Sequence, residues 1–405
     1  MTTLLKNGIL IDPSNNVNGR FDVLVADGRV AEIAENIITH ADKIIDCTGL
    51  TLMPGLFDMH VHFRDPGQTH KEDLSSGAAA AAAGGVTAVL CMPNTTPVID
   101  EPELVAEICE RARSLPIDLH FCAAITKGLQ GKELTDFEAL SKAGAIAFSD
   151  DGMPVADAEL MSIAMEKCAD LSCPIISHCE DFSAPDTRTS ENIITQRELR
   201  LAKEQDVWVH IAHVSTKEAV EAVRSAKAEG VKVTCEATPH HFGMAELELF
   251  QHHADYKMNP PLRTADDVEA VVAGLIDGTI DCIASDHAPH SVEEKADFDT
   301  APNGVIGLET MLAVTLTKLY HTERLSLNRI VRLMCVNPRD TLHIRGGSLG
   351  VGDVADIAVV DLNEKWVVDP DKLHSKSKNT CFKGHTLKGK VKYTLVKGSI
   401  VYSSV

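Results

Sequence analysis

The sequence predicts a (β/α)8 barrel, an α/β fold, flanked by a small β domain that both chain ends form. Eight strand-like segments in the middle of the chain alternate, for the most part, with helix-like segments. Most of these strand-like segments end in histidine, aspartate or asparagine, and both chain ends contain short strands separated by turns. A doubly wound open sheet is the alternative, but no G-x-G-x-x-G follows the first barrel strand to support it.

The chain ends show strand patterns without helices. The predicted terminal strands are 3–11, 21–26 and 30–33, with a hairpin turn at 26–29, and then 355–361, 390–396 and 398–402. Neither end is large enough to build a sheet with its own core, so we expect the two to pack together. The predicted division is residues 1–52 and 347–405 for the small β domain and 53–346 for the barrel.

The middle of the chain supplies the barrel. Its predicted strands are 56–62, 86–92, 118–125, 145–149, 174–178, 208–213, 231–238 and 281–285. Predicted helices are 75–83, 102–115, 158–171 and 216–229. The segment 102–115 has acidic residues early and arginines late, an order that the helix dipole favours.

Composition limits the partners. The formal net charge is −21, which disfavours binding to nucleic acid or to an anionic membrane surface. An anionic small-molecule substrate would then need local arginines or metal ions. The eleven cysteines lack C-x-x-C spacing, and residues 1–6 lack an export pattern, so we expect a cytoplasmic protein with reduced thiols.

One short stretch, His60-Val-His62, carries the strongest chemical signal. If 56–63 is a strand, the two imidazoles emerge on one face, where they suit a divalent metal such as zinc. The alternative is a pair of half-buried histidines on an ordinary sheet. Arg64 and Asp65 follow directly, and polar residues crowding the end of an apolar strand favour a site.

Polar residues recur at the strand ends. In chain order they are His60, His62, Asn94, Asp150, Asp151, His178, His213, His240, His241 and Asp286. Barrel active sites form at the carboxyl ends of the strands, so these residues predict a metal cluster there.

Eight motifs carry a family resemblance over nearly the whole chain. They lie at residues 54–67, 92–95, 148–152, 177–181, 213–217, 238–241, 256–263 and 284–290. With them the chain resembles the amidohydrolase superfamily and, within it, the dihydroorotases whose metal bridge is an aspartate. The resemblance implies two Zn²⁺ ions per chain. Its implied ligands are His60, His62, Asp151, His178, His213 and Asp286, with Asp151 as the bridge.

The bridge separates this class from hydantoinases, allantoinases and other dihydroorotases, which place a carboxylated lysine at the end of the fourth strand. Residues 143–157 contain no lysine, and Asp150-Asp151 occupies that end. Adjacent strand residues face opposite ways, so Asp150 is expected to be a turn or capping group.

The resemblance also implies a reaction and its residues. Hydroxide generated at the metals would attack the ring amide of dihydroorotate while Asp286, the catalytic residue, moves the proton. The implied substrate-binding residues are His62, Arg64, Asn94, Asn259, His290, Asn303 and Gly304. Arg64, Asn94 and His290 would bind the carboxylate, although a surface salt bridge between Arg64 and Asp65 is the alternative.

Several features leave alternatives open. The segment 182–190 is shorter than the family's usual insertion, and Asn303-Gly304 departs from the usual pair at that position. Residues 287–302 are either a mobile cover or a solvated loop. His240 and His241 are expected in packing or supporting roles, and His287 in a structural one.

Other functions remain as alternatives. One is a hydantoinase- or allantoinase-like cyclic amidase, and another is a non-catalytic scaffold for aspartate transcarbamoylase. The retained ligand set argues against the scaffold, although it does not exclude association with that transferase. A homo-oligomer is also expected.

Overall fold

A computed structural model describes residues 2–247 and 253–405. The first five strands are β1 Thr2–Asp12, β2 Val17–Ala26, β3 Arg29–Ala34, β4 Lys43–Asp46 and β5 Thr51–Pro54. The next eight are β6 Leu56–Val61, β7 Val86–Cys91, β8 Asp118–Ala123, β9 Ala145–Phe148, β10 Ile175–Ser177, β11 Val209–Ile211, β12 Val233–Ala237 and β13 Cys282–Ile283. The last three are β14 Ile357–Val367, β15 Thr386–Val396 and β16 Ser399–Ser403.

Helices follow most of the middle strands. They are α1 Leu74–Ala83, α2 Pro102–Ala112, α3 Phe137–Ala143, α4 Ala158–Asp170, α5 Thr187–Gln205, α6 Lys217–Ala228, α7 Pro239–Gly243, α8 Ala265–Asp277, α9 Met311–Thr315, α10 Leu327–Val331 and α11 Asn337–Thr341. A π-helical segment, Leu316–Tyr320, continues α9, and another, Arg332–Val336, joins α10 to α11. Asp73 caps α1 by accepting hydrogen bonds from the first-turn backbone, which explains where that helix begins.

The strands β6 to β13 form one parallel sheet in chain order. The sheet closes at a seam where a parallel bridge joins Val61 to His287, and the His62 backbone N–H donates to the His287 carbonyl at 2.8 Å. The expected (β/α)8 barrel is therefore confirmed.

Two apolar clusters alternate along the barrel strands. Leu90 belongs to a small cluster with Phe57 and Ile176, whereas the adjacent Val89 belongs to a larger one that includes helix residues such as Val105. The period of two places the small cluster inside the barrel and the larger one between strands and helices.

Both chain ends share a second sheet. Its order is β16-β15-β14-β5-β1-β2-β3, with β4 beside β1. Strand β5 pairs in parallel with β1 and antiparallel with β14, so the N-terminal and C-terminal strands meet at Thr51–Pro54. The expectation that the two ends form one small β domain is confirmed; the residue boundaries 1–52, 53–346 and 347–405 stay a prediction.

The main differences from the predicted elements concern their ends. The strand predicted at 118–125 ends at Ala123, and the one predicted at 281–285 is only Cys282–Ile283. Ladder pairing with the neighbouring strands stops at these points; Ile125 lies in a bend, and Asp286 has a positive φ of 47°. In contrast, β14 continues to Val367, past the predicted end at 361, because it forms a long hairpin with β15.

In residues 2–247 and 253–405, no helix combines the length and the apolar run that crossing a membrane requires.

Leu52 tests the joint between the two chain ends. It is fully buried in β5, in the core of the small sheet. We expect Leu52→Ala to lower the free energy of unfolding by about 2–5 kcal/mol in urea titration, because a buried leucine is replaced by a cavity. It should also speed amide exchange in β15. Ile44→Ala, at a site 57% exposed, is the control, and unchanged exchange in β15 would contradict the proposed joint.

Candidate metal centre and its cavity

The predicted metal-binding side chains converge at the mouth of the barrel. They come from the carboxyl ends of five different strands, which a parallel barrel brings to one face. All are buried: His60, His62, Asp151, His178, His213 and Asp286.

A first group combines the opening and closing strands of the barrel. His62 Nε2 lies 3.2 Å from Asp286 Oδ1, and His60 Nε2 lies 3.8 Å from the same oxygen. The ligand atoms of the three residues lie within 4.8 Å of one another. These side chains could hold one divalent metal ion.

A second group lies beside the first. His178 Nδ1 is 2.9 Å from His213 Nε2, and these nitrogens are 3.5 and 3.9 Å from Asp151 Oδ1. Asp151 also faces the first group, with Oδ1 3.2 Å from His60 Nε2 and Oδ2 3.4 Å from His62 Nε2. Its carboxylate therefore lies between the two groups.

The donor set fits a pair of divalent metal ions. Donor atoms about 2.0–2.1 Å from a tetrahedral zinc lie about 3.3 Å apart, close to the separations seen here. His60 Nε2 and Asp151 Oδ1 are buried and form no hydrogen bond within the described part of the chain. Buried polar atoms normally have partners, so the unpaired atoms are consistent with metal ligation.

Hydrogen bonds at Nδ1 fix the orientation of His60 and His62. His60 Nδ1 donates to Glu236 Oε1 at 2.6 Å, and His62 Nδ1 donates to Asn94 Oδ1 at 2.8 Å. Each contact places the ring proton on Nδ1 and leaves Nε2 free to face the site. Sequence reasoning missed Glu236, although an acidic residue inside the apolar strand 233–237 was a usable signal.

Burial and neighbouring side chains shift the pKa values of three residues in the centre. Burial opposes ionisation of Asp151, but His60 and His178 outweigh it and hold the pKa of Asp151 well below its usual range. Burial likewise opposes ionisation of Asp286, whose pKa is nevertheless lowered by His62 and His60. Burial and the neighbouring histidines lower the pKa of His213 to about 3, which leaves its imidazole neutral.

The metal centre opens into a cavity of about 230 Å³. Its lining includes the expected substrate-binding residues His62, Arg64, Asn94, Asn259, His290, Asn303 and Gly304. Burial lowers the pKa of Arg64 to about 10, so the guanidinium remains charged at neutral pH. Arg64 Nη2 lies 3.2 Å from His290 Nε2, and the nearby Asp65 pairs instead with Arg111 at 2.6 Å. The alternative salt bridge between Arg64 and Asp65 is therefore wrong.

The backbone of Asn303-Gly304 already has protein partners. The Gly304 N–H donates to the Lys257 carbonyl at 3.0 Å, and the Asn303 carbonyl accepts from His290 Nε2 at 2.8 Å. Gly304 has a φ of 135°, and a Cβ there would approach Ala288 O to 2.8 Å, which explains the glycine. The Gly304 N–H is therefore not available to a ligand.

Other polar residues near the mouth stabilise the surrounding structure. Asp150 accepts from the backbone N–H groups of Ile125 and Thr126 at 2.7 and 3.0 Å. His241 contacts the Thr238 hydroxyl at 2.8 Å and the Pro260 carbonyl at 3.0 Å.

The segment 287–302 is attached to the rest of the chain by buried polar contacts. Lys295 is buried, and its Nζ donates to the Lys257 carbonyl, outside the segment, at 3.0 Å and to the Pro302 carbonyl, within it, at 2.9 Å. His287 Nε2 is 3.4 Å from Glu72 Oε2, and its Nδ1 accepts from the Gly307 N–H at 3.2 Å. A moving cover would have to break such contacts.

The barrel and its paired donor groups define a metal-dependent hydrolase of the amidohydrolase type. The profile described as "Amidohydrolase family" matches residues 51–401, and the chain belongs to that family.

Two curated proteins are similar to this chain over all or nearly all of its length. The chain is 44% identical over 425 residues to a dihydroorotase of Citrifermentans bemidjiense, covering 100% of both chains. It is 44% identical over 418 residues to a dihydroorotase of Acetivibrio thermocellus, covering 98% of each.

Solved structures agree on the fold. An L-hydantoinase (dihydropyrimidinase) from Arthrobacter aurescens matches with a TM-score of 0.90 and 28% identity, over 99% of this chain and 96% of that one. A dihydropyrimidinase from Brevibacillus agri matches with a TM-score of 0.88 and 22% identity, over 100% and 95%, which supports the fold alone.

Substitution of each of the two adjacent aspartates tests which of them bridges the metal ions. We expect Asp151→Ala to lose most bound zinc, because its carboxylate faces both donor groups, whereas Asp150→Ala keeps its zinc because Asp150 binds backbone amides. Zinc per chain would be measured by mass spectrometry of metals after reconstitution and removal of free ion. Equal zinc content in the two variants would contradict the assignment.

Proposed function

We propose that this chain is a dihydroorotase, interconverting N-carbamoyl-L-aspartate and (S)-dihydroorotate in pyrimidine biosynthesis. The observation that carries the proposal is a buried, charged Arg64 in the same cavity as the paired donor groups. Dihydroorotate presents both a ring amide and a carboxylate, and an arginine can bind that carboxylate through two hydrogen bonds. Full-length similarity to proteins named dihydroorotase supports the same conclusion.

The proposal includes two zinc ions per chain. His60, His62 and Asp286 would hold one, His178 and His213 the other, and Asp151 would bridge them. Such ions supply a lowered pKa for water and withdraw electron density from a carbonyl group.

Asp286 has the proposed catalytic role. The low pKa of Asp286, to which His62 and His60 contribute against the effect of burial, keeps its carboxylate ionised and able to accept a proton. Asp286 would take the proton of the attacking water and deliver it to the ring nitrogen that leaves. Asp286 lines the cavity in which the substrate would bind, which supports this role.

Residues around the cavity would orient the substrate. Asn94 Oδ1 is occupied by His62, so the amide group of Asn94 offers its N–H donors, which suit a carboxylate. We assign the carboxylate to Arg64, Asn94 and His290, and the ring amides to Asn259 and the Asn303-Gly304 backbone. His290 would have to exchange its hydrogen bond to the Asn303 carbonyl for one to the carboxylate. The Gly304 N–H would take no part, because it is bonded to the Lys257 carbonyl.

A hydantoinase-like activity is the second candidate, favoured by the fold match to the Arthrobacter enzyme. Hydantoin carries no carboxylate and would leave the buried charge of Arg64 without a ligand partner, which is unfavourable. The aspartate at position 151 also differs from the lysine bridge that the resemblance implies for hydantoinases. A non-catalytic scaffold is disfavoured by the complete donor set.

The proposal extends to the setting of the enzyme. We place it in the cytoplasm as a homo-oligomer that acts on a small molecule, and the proposal includes association with aspartate transcarbamoylase. The acidic charge of −21 supports the proposal that neither nucleic acid nor membrane is a partner.

Substrate choice can be tested directly. The zinc-loaded protein would be offered dihydroorotate, hydantoin and allantoin in separate assays, with ring opening followed by loss of absorbance or by chromatography. We expect turnover of dihydroorotate and little of the other two, because only dihydroorotate has a carboxylate for Arg64. Turnover of hydantoin without dihydroorotate would reverse the proposal.

Arg64→Met tests carboxylate binding. We expect kcat/KM for dihydroorotate to fall about 100-fold, because hydrogen bonds to charged groups contribute about 1.5–3 kcal/mol each. Zinc content should stay at the parent level. Arg324→Met is a matched control, since Arg324 pairs with Glu269 through two hydrogen bonds and lies outside the cavity lining. Equal kcat/KM in the two variants would contradict the assignment.

A further inference from the structure

Glu180 contacts two residues that line the cavity, His178 and Asn259. Its Oε2 is 3.0 Å from His178 Nε2 and 2.9 Å from Asn259 Nδ2. Glu180 is not part of the cavity lining, and its side chain is only 18% exposed. One carboxylate oxygen therefore contacts both a proposed zinc ligand and a proposed ring contact.

The Glu180 carboxylate determines which polar group Asn259 and His178 each turn toward it. An ionised carboxylate only accepts hydrogen bonds, so Asn259 must present its NH₂ group to Glu180. The carbonyl oxygen is then the remaining polar atom of the Asn259 side chain, which lines the cavity. An acceptor in this position matches an N–H group of a ligand and disfavours a ligand carbonyl.

The contact with Glu180 also determines which ring nitrogen of His178 carries the proton. A proton on Nε2, shared with Glu180, leaves the lone pair on Nδ1. Nδ1 is the atom that faces His213 at 2.9 Å and Asp151 at 3.5 Å. The contact with Glu180 therefore selects the tautomer that can bind metal.

We infer that Glu180 is a positioning residue that orients Asn259 to accept from a substrate ring N–H and holds His178 in its metal-binding tautomer. The part concerning the ring rests on the proposed function, because a cyclic ureide such as dihydroorotate supplies the N–H group. The part concerning His178 rests on the metal centre alone. Glu180 thus links ring recognition to metal binding without touching either ligand.

Metal affinity provides the first test. Zinc dissociation constants would be measured by competition with a chelator. We expect Glu180→Ala to weaken zinc binding about 10- to 100-fold, the usual effect of removing the partner of a metal-bound histidine. Asn259→Ala should leave zinc affinity at the parent value. The control is Asp181→Asn in the same loop, because Asp181 contacts Ser183 and not the site.

A polarity exchange provides the second test. Asn259→Asp alone places two carboxylates at the 2.9 Å contact, and we expect KM for dihydroorotate to rise about tenfold or more. Adding Glu180→Gln removes one of the two negative charges and supplies an amide N–H for the new carboxylate. Because one atom of residue 180 contacts both neighbours, His178 then loses its acceptor, so KM is compared at saturating zinc. The double variant should therefore recover most of the lost KM, whereas Glu180→Gln alone should not improve on the parent.

The outcomes separate this inference from the proposed function. Failure of the parent protein to turn over dihydroorotate would count against the proposed function and the ring contact, while the zinc measurement would still test Glu180. Zinc affinity of Glu180→Ala equal to that of Asp181→Asn would overturn the role toward His178. Additive effects of the two exchanged residues on KM would overturn the role toward Asn259.

Discussion

The charge balance among buried carboxylates and imidazoles is the constraint on which the rest of this structure depends. Burial opposes ionisation of Asp151 and Asp286, yet neighbouring histidines outweigh it and lower both pKa values. A buried anion needs a compensating cation, whether a proton on imidazole or a metal ion. Metal binding at such a centre exchanges bound protons for metal charge, so the same residues can remain buried in both states.

The fold brings the buried carboxylates and imidazoles together because they lie at or just beyond the ends of short parallel strands. Parallel strands direct their carboxyl ends to one face, so residues distant in sequence meet without long loops. Hydrogen bonds to Glu236 and Asn94 then limit the rotation of the imidazoles of His60 and His62. The small β sheet lies outside this arrangement and contributes by pairing the chain ends at β5 and β14.

Sequence reasoning predicted the barrel strands and the converging donor residues because both follow from local patterns. Alternation identifies a strand, and a histidine at its end marks the face that a parallel barrel shares. It failed for Glu236 and Glu180, whose importance lies in contacts with His60, His178 and Asn259 that join different strands and loops. The Gly304 backbone shows the same limit, because its N–H is occupied by Lys257 from a distant loop.

The seam of the barrel has a mechanical consequence. Among the described residues, one backbone bridge joins Val61 of the first barrel strand to His287, four residues beyond the last strand, and β13 is only two residues long. The first donor group spans this seam, with His60 and His62 on one side and Asp286 on the other. An ion held there would act as a clasp across the seam, beside the backbone bridge between Val61 and His287. Chemistry and mechanical closure would then share the same three side chains.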